Sequence, residues 1–213
     1  VVGVTFIAFS VTAGDTRPPN LYIGATTIDA GMLSVNGSLD AGTTVTVSAG
    51  ATLAGSGTIG GGVTAADGST TAPGNSIGTL TVDGDYTWNA GATMAFELSA
   101  TDNTSDRLAI GGVLAKSGSG TFAFDFGGTG RAGTTYTLAT FASTGFSVED
   151  FSYTNLGGGP AGTFAIVGGT QLTFTIPFST NANLSAFALG AGTLAPAFDT
   201  HTTSYTASVP YAT

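Results

Sequence analysis

Apolar and polar residues alternate along most of this chain. Val45 and Val47 share one face, with Thr44, Thr46 and Ser48 on the other. Leu80 and Val82 repeat the pattern, then Met94, Phe96 and Leu98, then Leu108 and Ile110. Phe122, Phe124 and Phe126 form an apolar row, as do Leu172, Phe174 and Ile176. A period of two puts successive side chains on opposite faces of an extended backbone, so each segment predicts a half-buried β-strand. No segment carries a helical period. Between the strands stand Asn36-Gly37, Asp67-Gly68, Pro73-Gly74-Asn75, Asp83-Gly84 and Asn89-Ala90-Gly91. These residues tolerate the left-handed backbone of tight corners. The chain is therefore expected to be all-β, with many short strands.

From about Gly24 to Gly112 the strands recur in a loose unit of strand, small-residue corner and second strand. Ala49-Gly50-Ala51-Thr52-Leu53 and Ala90-Gly91-Ala92-Thr93-Met94 both carry Ala-Gly-Ala-Thr before a large apolar residue. A unit that cannot bury a face alone must stack on its neighbours. Stacking predicts a parallel β-solenoid with an apolar inside and Gly, Asn and Asp at its corners. At ~20 residues per coil the segment would hold roughly four rungs, about 20 Å of rod at ~4.8 Å per rung. An antiparallel sandwich uses the same alternation, and pattern alone leaves both open.

Residues Leu21–Leu39, Ala51–Gly61 (Ala-Thr-Leu-Ala-Gly-Ser-Gly-Thr-Ile-Gly-Gly) and Ala72–Val82 (Ala-Pro-Gly-Asn-Ser-Ile-Gly-Thr-Leu-Thr-Val) resemble the autotransporter-associated β-strand repeat. The resemblance covers residues 21–112 and implies a right-handed parallel β-helix in the passenger of an exported bacterial surface protein. In that family the repeat goes with secretion and folding of the passenger, not with catalysis. The chain departs from the family at Thr71, where a large apolar residue is usual before Ala-Pro-Gly. Tyr136-Thr137-Leu138, Gly145–Phe151 and Leu172–Ile176 resemble the closing part of such passengers, so 113–178 is expected to close and cap the solenoid. Leu184–Leu189, Gly192–Phe198 and Thr202–Pro210 resemble the opening of a bacterial cadherin-like β-sandwich. Residues 183–213 are thus expected to begin a further, incomplete domain after a linker at Ser179–Ala182. Residues 1–20 form a lead-in. Their apolar run, Val1–Val11, falls short of the ~20 residues of a membrane span. It reads as a strand with Val2, Val4 and Phe6 on one face rather than as the remnant of a signal peptide.

Composition narrows the function classes. Of 213 residues, 42% are hydrophobic, enough for a core despite 34 glycines. Charged residues are only 8%, so Thr, Ser, Asn and Gly must hydrate the surface. The net charge is −9 and the four basic residues, Arg17, Arg107, Lys116 and Arg131, are scattered. That excludes a basic stripe for nucleic acid and gives no attraction to an anionic membrane. With no cysteine, disulfides, thiol catalysis and zinc–thiolate sites drop out.

Individual residues offer little chemistry. Gly55-Ser56-Gly57-Thr58-Ile59-Gly60 spells a dinucleotide fingerprint, but that motif needs a following helix to hold the pyrophosphate, and more glycine follows instead. His201 is the lone histidine and reads as a solvated loop residue rather than a triad base. The glutamates are Glu97 and Glu149. Glu149 and Asp150 would point to opposite faces of a strand. Asp83 and Asp85 share a face and Asp102 and Asp106 bracket a polar loop. Either pair could hold a weak Ca²⁺, yet neither has a dedicated ligand run. The outward threonines are irregularly spaced and read as strand formers, although such a face can bind ice or glycans. Phe122, Phe124 and Phe126 with Trp88 and Tyr86 read as core or cap packing rather than a sugar-stacking platform. The expectation is therefore a non-catalytic structural or adhesive segment with no catalytic, cofactor-binding or metal residues. Its expected place is outside the cell, on an outer-membrane-associated surface protein. Its expected partners are surface glycans, host or neighbouring-cell proteins and, for the whole protein, the secretion machinery. The alternatives are a glycan- or ice-binding module and, behind it, a polysaccharide-degrading enzyme.

Overall fold

The structure, a computed structural model, describes residues 9–11, 24–157, 160–178, 193–195 and 206–208. It divides into two units, Val1–Phe178 and Ser179–Thr213. Val2, Val4, Phe6, Arg17, His201 and most of the expected sandwich lie outside the described residues.

In the first unit, Phe9–Val11 (β1) precedes a series of coils. The first coil runs through Thr26–Ile28 (β2), Gly31–Val35 (β3) and Ser38–Leu39 (β4), the second through Val45–Val47 (β5), Ala51–Gly55 (β6) and Thr58–Ile59 (β7). The third comprises Val63–Ala65 (β8), Thr70–Pro73 (β9) and Thr79–Val82 (β10), the fourth Tyr86–Asn89 (β11), Thr93–Glu97 (β12) and Arg107–Ile110 (β13). The fifth comprises Val113–Ser117 (β14), Phe122–Gly127 (β15) and Thr134–Thr140 (β16). Ser143–Thr144 (β17), a 3-10 turn at Val148–Asp150 and Phe151–Thr154 (β18) begin a sixth, which ends in Thr163–Val167 (β19) and Gln171–Ile176 (β20). In the second unit Thr193–Ala195 (β21) pairs antiparallel with Thr206–Ser208 (β22).

Each of the first five coils gives one strand to each of three sheets, and the sixth gives two to the last of them. These run β2-β5-β8-β11-β14-β17, β1-β3-β6-β9-β12-β15-β18 and β4-β7-β10-β13-β16-β20-β19. All pairings are parallel except β16 with β20 and β20 with β19. The fold is a parallel β-helix, which removes the sandwich alternative for this unit. The shared Ala-Gly-Ala-Thr marks one corner of the helix: Gly50 and Gly91 both take positive φ there (76° and 89°). The corner glycines also bond up the stack, the Gly50 amide to Gly68 O (2.8 Å) and the Gly68 amide to Gly91 O (3.2 Å).

Inward residues stack on inward residues. On the inside, Ile28 pairs with Val47, Val47 with Ala65 and Ala65 with Trp88. Leu33 pairs with Leu53, Leu53 with Thr71, Thr71 with Met94 and Met94 with Phe124. Side chains enlarge along the stack, and the coils lengthen with them. Leu33 reaches its partner Leu53 in 20 residues, whereas Phe124 reaches Tyr153 in 29. Close packing keeps the interior filled at every level. The early coils are filled by Ile28, Val47, Leu53 and Ile59. The later ones are filled by Tyr86, Trp88, Phe96, Phe122, Phe124, Phe126 and Tyr136, all essentially inaccessible.

Thr71 is the polar member of the second of these inward rows. Opposite it the Tyr86 ring fills the space, and the two hydroxyls lie 2.6 Å apart in the dry interior. The bond satisfies both groups, and burial raises the Tyr86 phenol well above its ordinary range. The polar residue at this inward position is thus compensated two strands further along the chain.

Outward positions stack too. Thr27 pairs with Thr46, Thr46 with Thr64 and Thr64 with Thr87. Thr52, Thr70 and Thr93 form a second ladder, and Thr58 and Thr81 a third pair. Their sequence spacing is irregular only because the coils differ in length; the register aligns them. Ladders on all three sheets fit a general rule of the surface rather than one dedicated binding face.

The hairpin β19–β20 turns antiparallel across the last parallel edge of its sheet. Phe164 and Phe174, 4.9 Å apart, close over Phe124, Phe126 and Tyr153. Edge strands with unpaired backbone invite aggregation. A fragment 1–157 should therefore aggregate in light scattering where 1–178 stays monodisperse; equal behaviour would remove the capping role. For the buried hydroxyl pair, Thr71→Val and Tyr86→Phe should each cost about 1–3 kcal/mol in urea unfolding, because each strands a buried polar group. The double variant should cost clearly less than their sum, and strict additivity would show that the bond contributes nothing.

Candidate functional site

Outside the sheet that contains β12, small side chains line up. Ser34 pairs with Ala54, Ala54 with Ala72, and Ala95 with Asp125. Two excursions rise beside this low floor: the turn 74–78 between β9 and β10, and the loop 98–106 between β12 and β13. The result is a trough of about 430 Å³ walled by Met32, Pro73, Asn75, Ser76, Glu97 and Asp106.

Asp106 fastens the two excursions together. One carboxylate oxygen accepts the Gly78 amide (2.9 Å) and the other the Glu97 amide (2.7 Å). It is 3% exposed. Burial raises its carboxyl to about 6; the two backbone donors pull the other way, and neighbouring Glu97 adds to the rise. Glu97 itself is exposed on β12, opposite Gly127. Asp125, two residues earlier on β15, accepts the Asn155 side-chain amide (2.6 Å). At the other end of the trough Asn75 donates to Asn36 (2.7 Å), and Asn36 donates to Ser34 Oγ (3.1 Å). The trough therefore presents carboxylate acceptors at one end and carboxamides at the other, over alanines. That chemistry suits hydrogen bonding to a polar ligand. For proton transfer, Asp106 is poorly placed, because both of its oxygens already serve the backbone.

The residues singled out by sequence do not converge here. Gly55 and Gly57 sit at coil corners, where a Cβ would fall on the carbonyl oxygens of Val35 and Gly37. The fingerprint spelling thus reflects backbone packed on backbone. Asp83 is exposed, while Asp85 accepts the Val113 amide (2.7 Å) and so serves the next coil. Asp102 accepts the amide and the hydroxyl of Thr104 (2.9 and 2.6 Å), apart from the Asp106 strap. Among the described residues no three of His, Cys, Asp and Glu are grouped to share a metal ion. Glu149 and Asp150 lie on the 3-10 turn, not a strand. Asp150 pairs with Lys116 at 2.9 Å and accepts the Ser147 amide at 2.8 Å. Trp88 is interior, its ring edge-on to Phe122 and Phe124 at 5.4 and 5.3 Å, with Nε1 donating to Ala92 O (2.9 Å). The aromatic row is packing, as its alternation suggested.

Asp106, Asp125, Asn36 and Asn75 were not legible as a group. They are far apart in sequence, and only the stacking brings them to one trough. No known protein family matches the chain, and no curated protein matches it either.

The raised Asp106 carboxyl has a pH signature. Its folded value lies above the ordinary 3.8, so the folded state keeps a proton that the unfolded chain has released. Its favourable contribution is present below the ordinary value and is lost as pH rises through about 6. Asp102 and Asp150 are shifted downward by their hydrogen bonds, so their contributions are lost only at lower pH. The unfolding midpoint should fall between about pH 4 and 6.5, and Asp106→Asn should flatten that fall. An unchanged slope in the variant would count against the raised value.

Proposed function

We propose that this chain is a structural, non-catalytic segment of an exported bacterial surface protein, a stem that carries other domains and presents its loops. The observation that carries the reading is the continuous parallel stack. Successive coils bond along one axis through each of three sheets, and the last coil is closed by a hairpin. Such a stack resists extension, because neighbouring coils share whole rows of hydrogen bonds. The uncharged threonine exterior suits an extracellular setting. The likeness of residues 21–112 to autotransporter-associated repeats supports export as a passenger, and the likeness of 183–213 to a cadherin-like sandwich supports a stalk continuing beyond the stem. In the whole protein the partners would be the secretion machinery and surface glycans or proteins of other cells.

A second reading is favoured by one observation, the trough. Its Asn75, Ser34, Glu97 and Asp125 side chains above an alanine floor would suit a glycan chain lying across the strands.

Antibodies against 1–178 should label intact cells of the producing bacterium, and external protease should abolish the label. Labelling only after permeabilisation would overturn the surface assignment. Incubated with neutral and uronate polysaccharides, the protein should release no new reducing ends. Depolymerisation that disappears in Glu97→Gln or Asp125→Asn would overturn the non-catalytic reading.

A further inference from the structure

Around the corner from the trough lies a second depression, of about 460 Å³, on the outer face of the sheet that contains β13. It is lined by Ile77, Thr79, Ser105, Arg107, Thr135 and Thr137, among others, and by no acidic residue. Arg107 is exposed and stands beside Thr79 on the neighbouring strand. It differs from the other described cations. Lys116 is held by Asp150 at 2.9 Å. Arg131 donates to Thr101 O (3.1 Å) and lies in the field of Asp102. The Arg107 guanidinium has no partner among the described residues. In a chain of net charge −9, an unpaired guanidinium in an acid-free, hydroxyl-lined depression is a local exception.

The surroundings are fixed before any ligand arrives. The Arg107 amide bonds to Gly78 O (2.9 Å), and Gly78 is strapped by Asp106. The Thr135 hydroxyl is steadied by Thr175 at 2.8 Å. The side chains of Thr79 and Thr137 make no bond within the described protein, so their hydroxyls are open to a ligand. Ile77, 39% exposed, offers an apolar patch for the C–H face of a sugar ring. A smaller depression of about 320 Å³ shares Ile77 with this pocket and Ser76, Glu97 and Gly127 with the trough, which joins the two.

We propose that this pocket binds the carboxylate-bearing residue of an acidic glycan, with Arg107 taking the carboxylate and the threonine hydroxyls taking the ring hydroxyls. Arginine suits that role because its planar fork can meet both carboxylate oxygens. The threonine hydroxyls suit a polyhydroxylated ligand. The overall negative charge repels a polyanion, so the ligand carries one acidic residue among neutral ones, and these run on past Ile77 toward the trough. The inference rests on the glycan-binding reading and adds the charge class of the ligand and the residue that reads it.

The test is an amide chemical-shift titration of the whole chain with cellobiouronic acid, with cellobiose as the neutral control and sodium sulfate as the bare anion. Shifts should centre on residues 77–79, 105–107 and 135–137. The acid should bind at least tenfold more tightly than cellobiose, and more weakly at 300 mM salt than at 20 mM, as expected for a charge contact at the surface. Arg107→Ala should remove that preference and Arg107→Lys should keep part of it, with unchanged spectra elsewhere confirming that both fold. Equal binding of acid and neutral sugar, untouched by Arg107→Ala, would preserve glycan binding and overturn the Arg107 subsite. Binding of neither sugar would overturn both. Sulfate alone reproducing the shifts at equal affinity would reduce the pocket to an anion site and overturn the sugar specificity.

Discussion

Each coil of this protein hydrogen-bonds along its backbone to the coil before it, in register and in the same direction, and the rest of the structure follows from that contact. Parallel in-register stacking places a residue directly over its counterpart at ~4.8 Å. A charged residue repeated at such a position would repel its neighbours by about 1 kcal/mol per pair even in water. Threonine avoids this: it is β-branched, which suits a strand, and its hydroxyl hydrates the surface without charge. The low charge content and the threonine ladders Thr27–Thr46–Thr64–Thr87 and Thr52–Thr70–Thr93 are two views of this constraint. Glycines such as Gly55 and Gly57 express it at the corners, where one coil's backbone leaves no room for a Cβ on the next.

A second consequence concerns the interior. The core side chains grow larger toward the later coils. The passage from Val47 and Leu53 to Trp88, Phe124 and Phe126 tracks the lengthening of the coils. Where the series breaks, at Thr71, a neighbouring aromatic supplies both the volume and the hydrogen bond. Stacking would also continue without limit unless something stopped it. The antiparallel hairpin β19–β20 does so on one sheet, and its Phe164 and Phe174 seal the aromatic column below. On the sheet that ends at β17, the last strand is Ser143–Thr144.

The two depressions that could recognise a ligand lie where the regular stack is interrupted, at the turn 74–78 and the loop 98–106. A smooth coil offers only ladders, and an insertion makes walls. Asp106 ties the two insertions together with backbone hydrogen bonds to Gly78 and Glu97, so the walls are held by the scaffold instead of moving independently of it. A regular stack and walled depressions are then compatible in one chain.

Much of the fold could be read directly. Period-two alternation, corner residues and a repeated Ala-Gly-Ala-Thr pointed to stacked short strands, and the aromatic row was recognisable as packing, because these signals are local and each strand obeys them separately. The candidate site was not readable in the same way. Asp83 and Asp85 looked paired because they are close in sequence, yet Asp85 serves the Val113 amide of the next coil. Asn36 and Asn75, or Glu97 and Asp125, have no sequence relation that would join them. The amino-acid sequence by itself determined strand, corner and inward or outward face, since those depend on neighbours along the chain. Only the tertiary structure decided the order of stacking, the alignment of the threonines, the rescue of Thr71 by Tyr86 and the lack of a partner for the Arg107 guanidinium among the described residues. Those depend on how many residues each coil takes to return, and that length is set by the loops, whose composition carries no periodic signal.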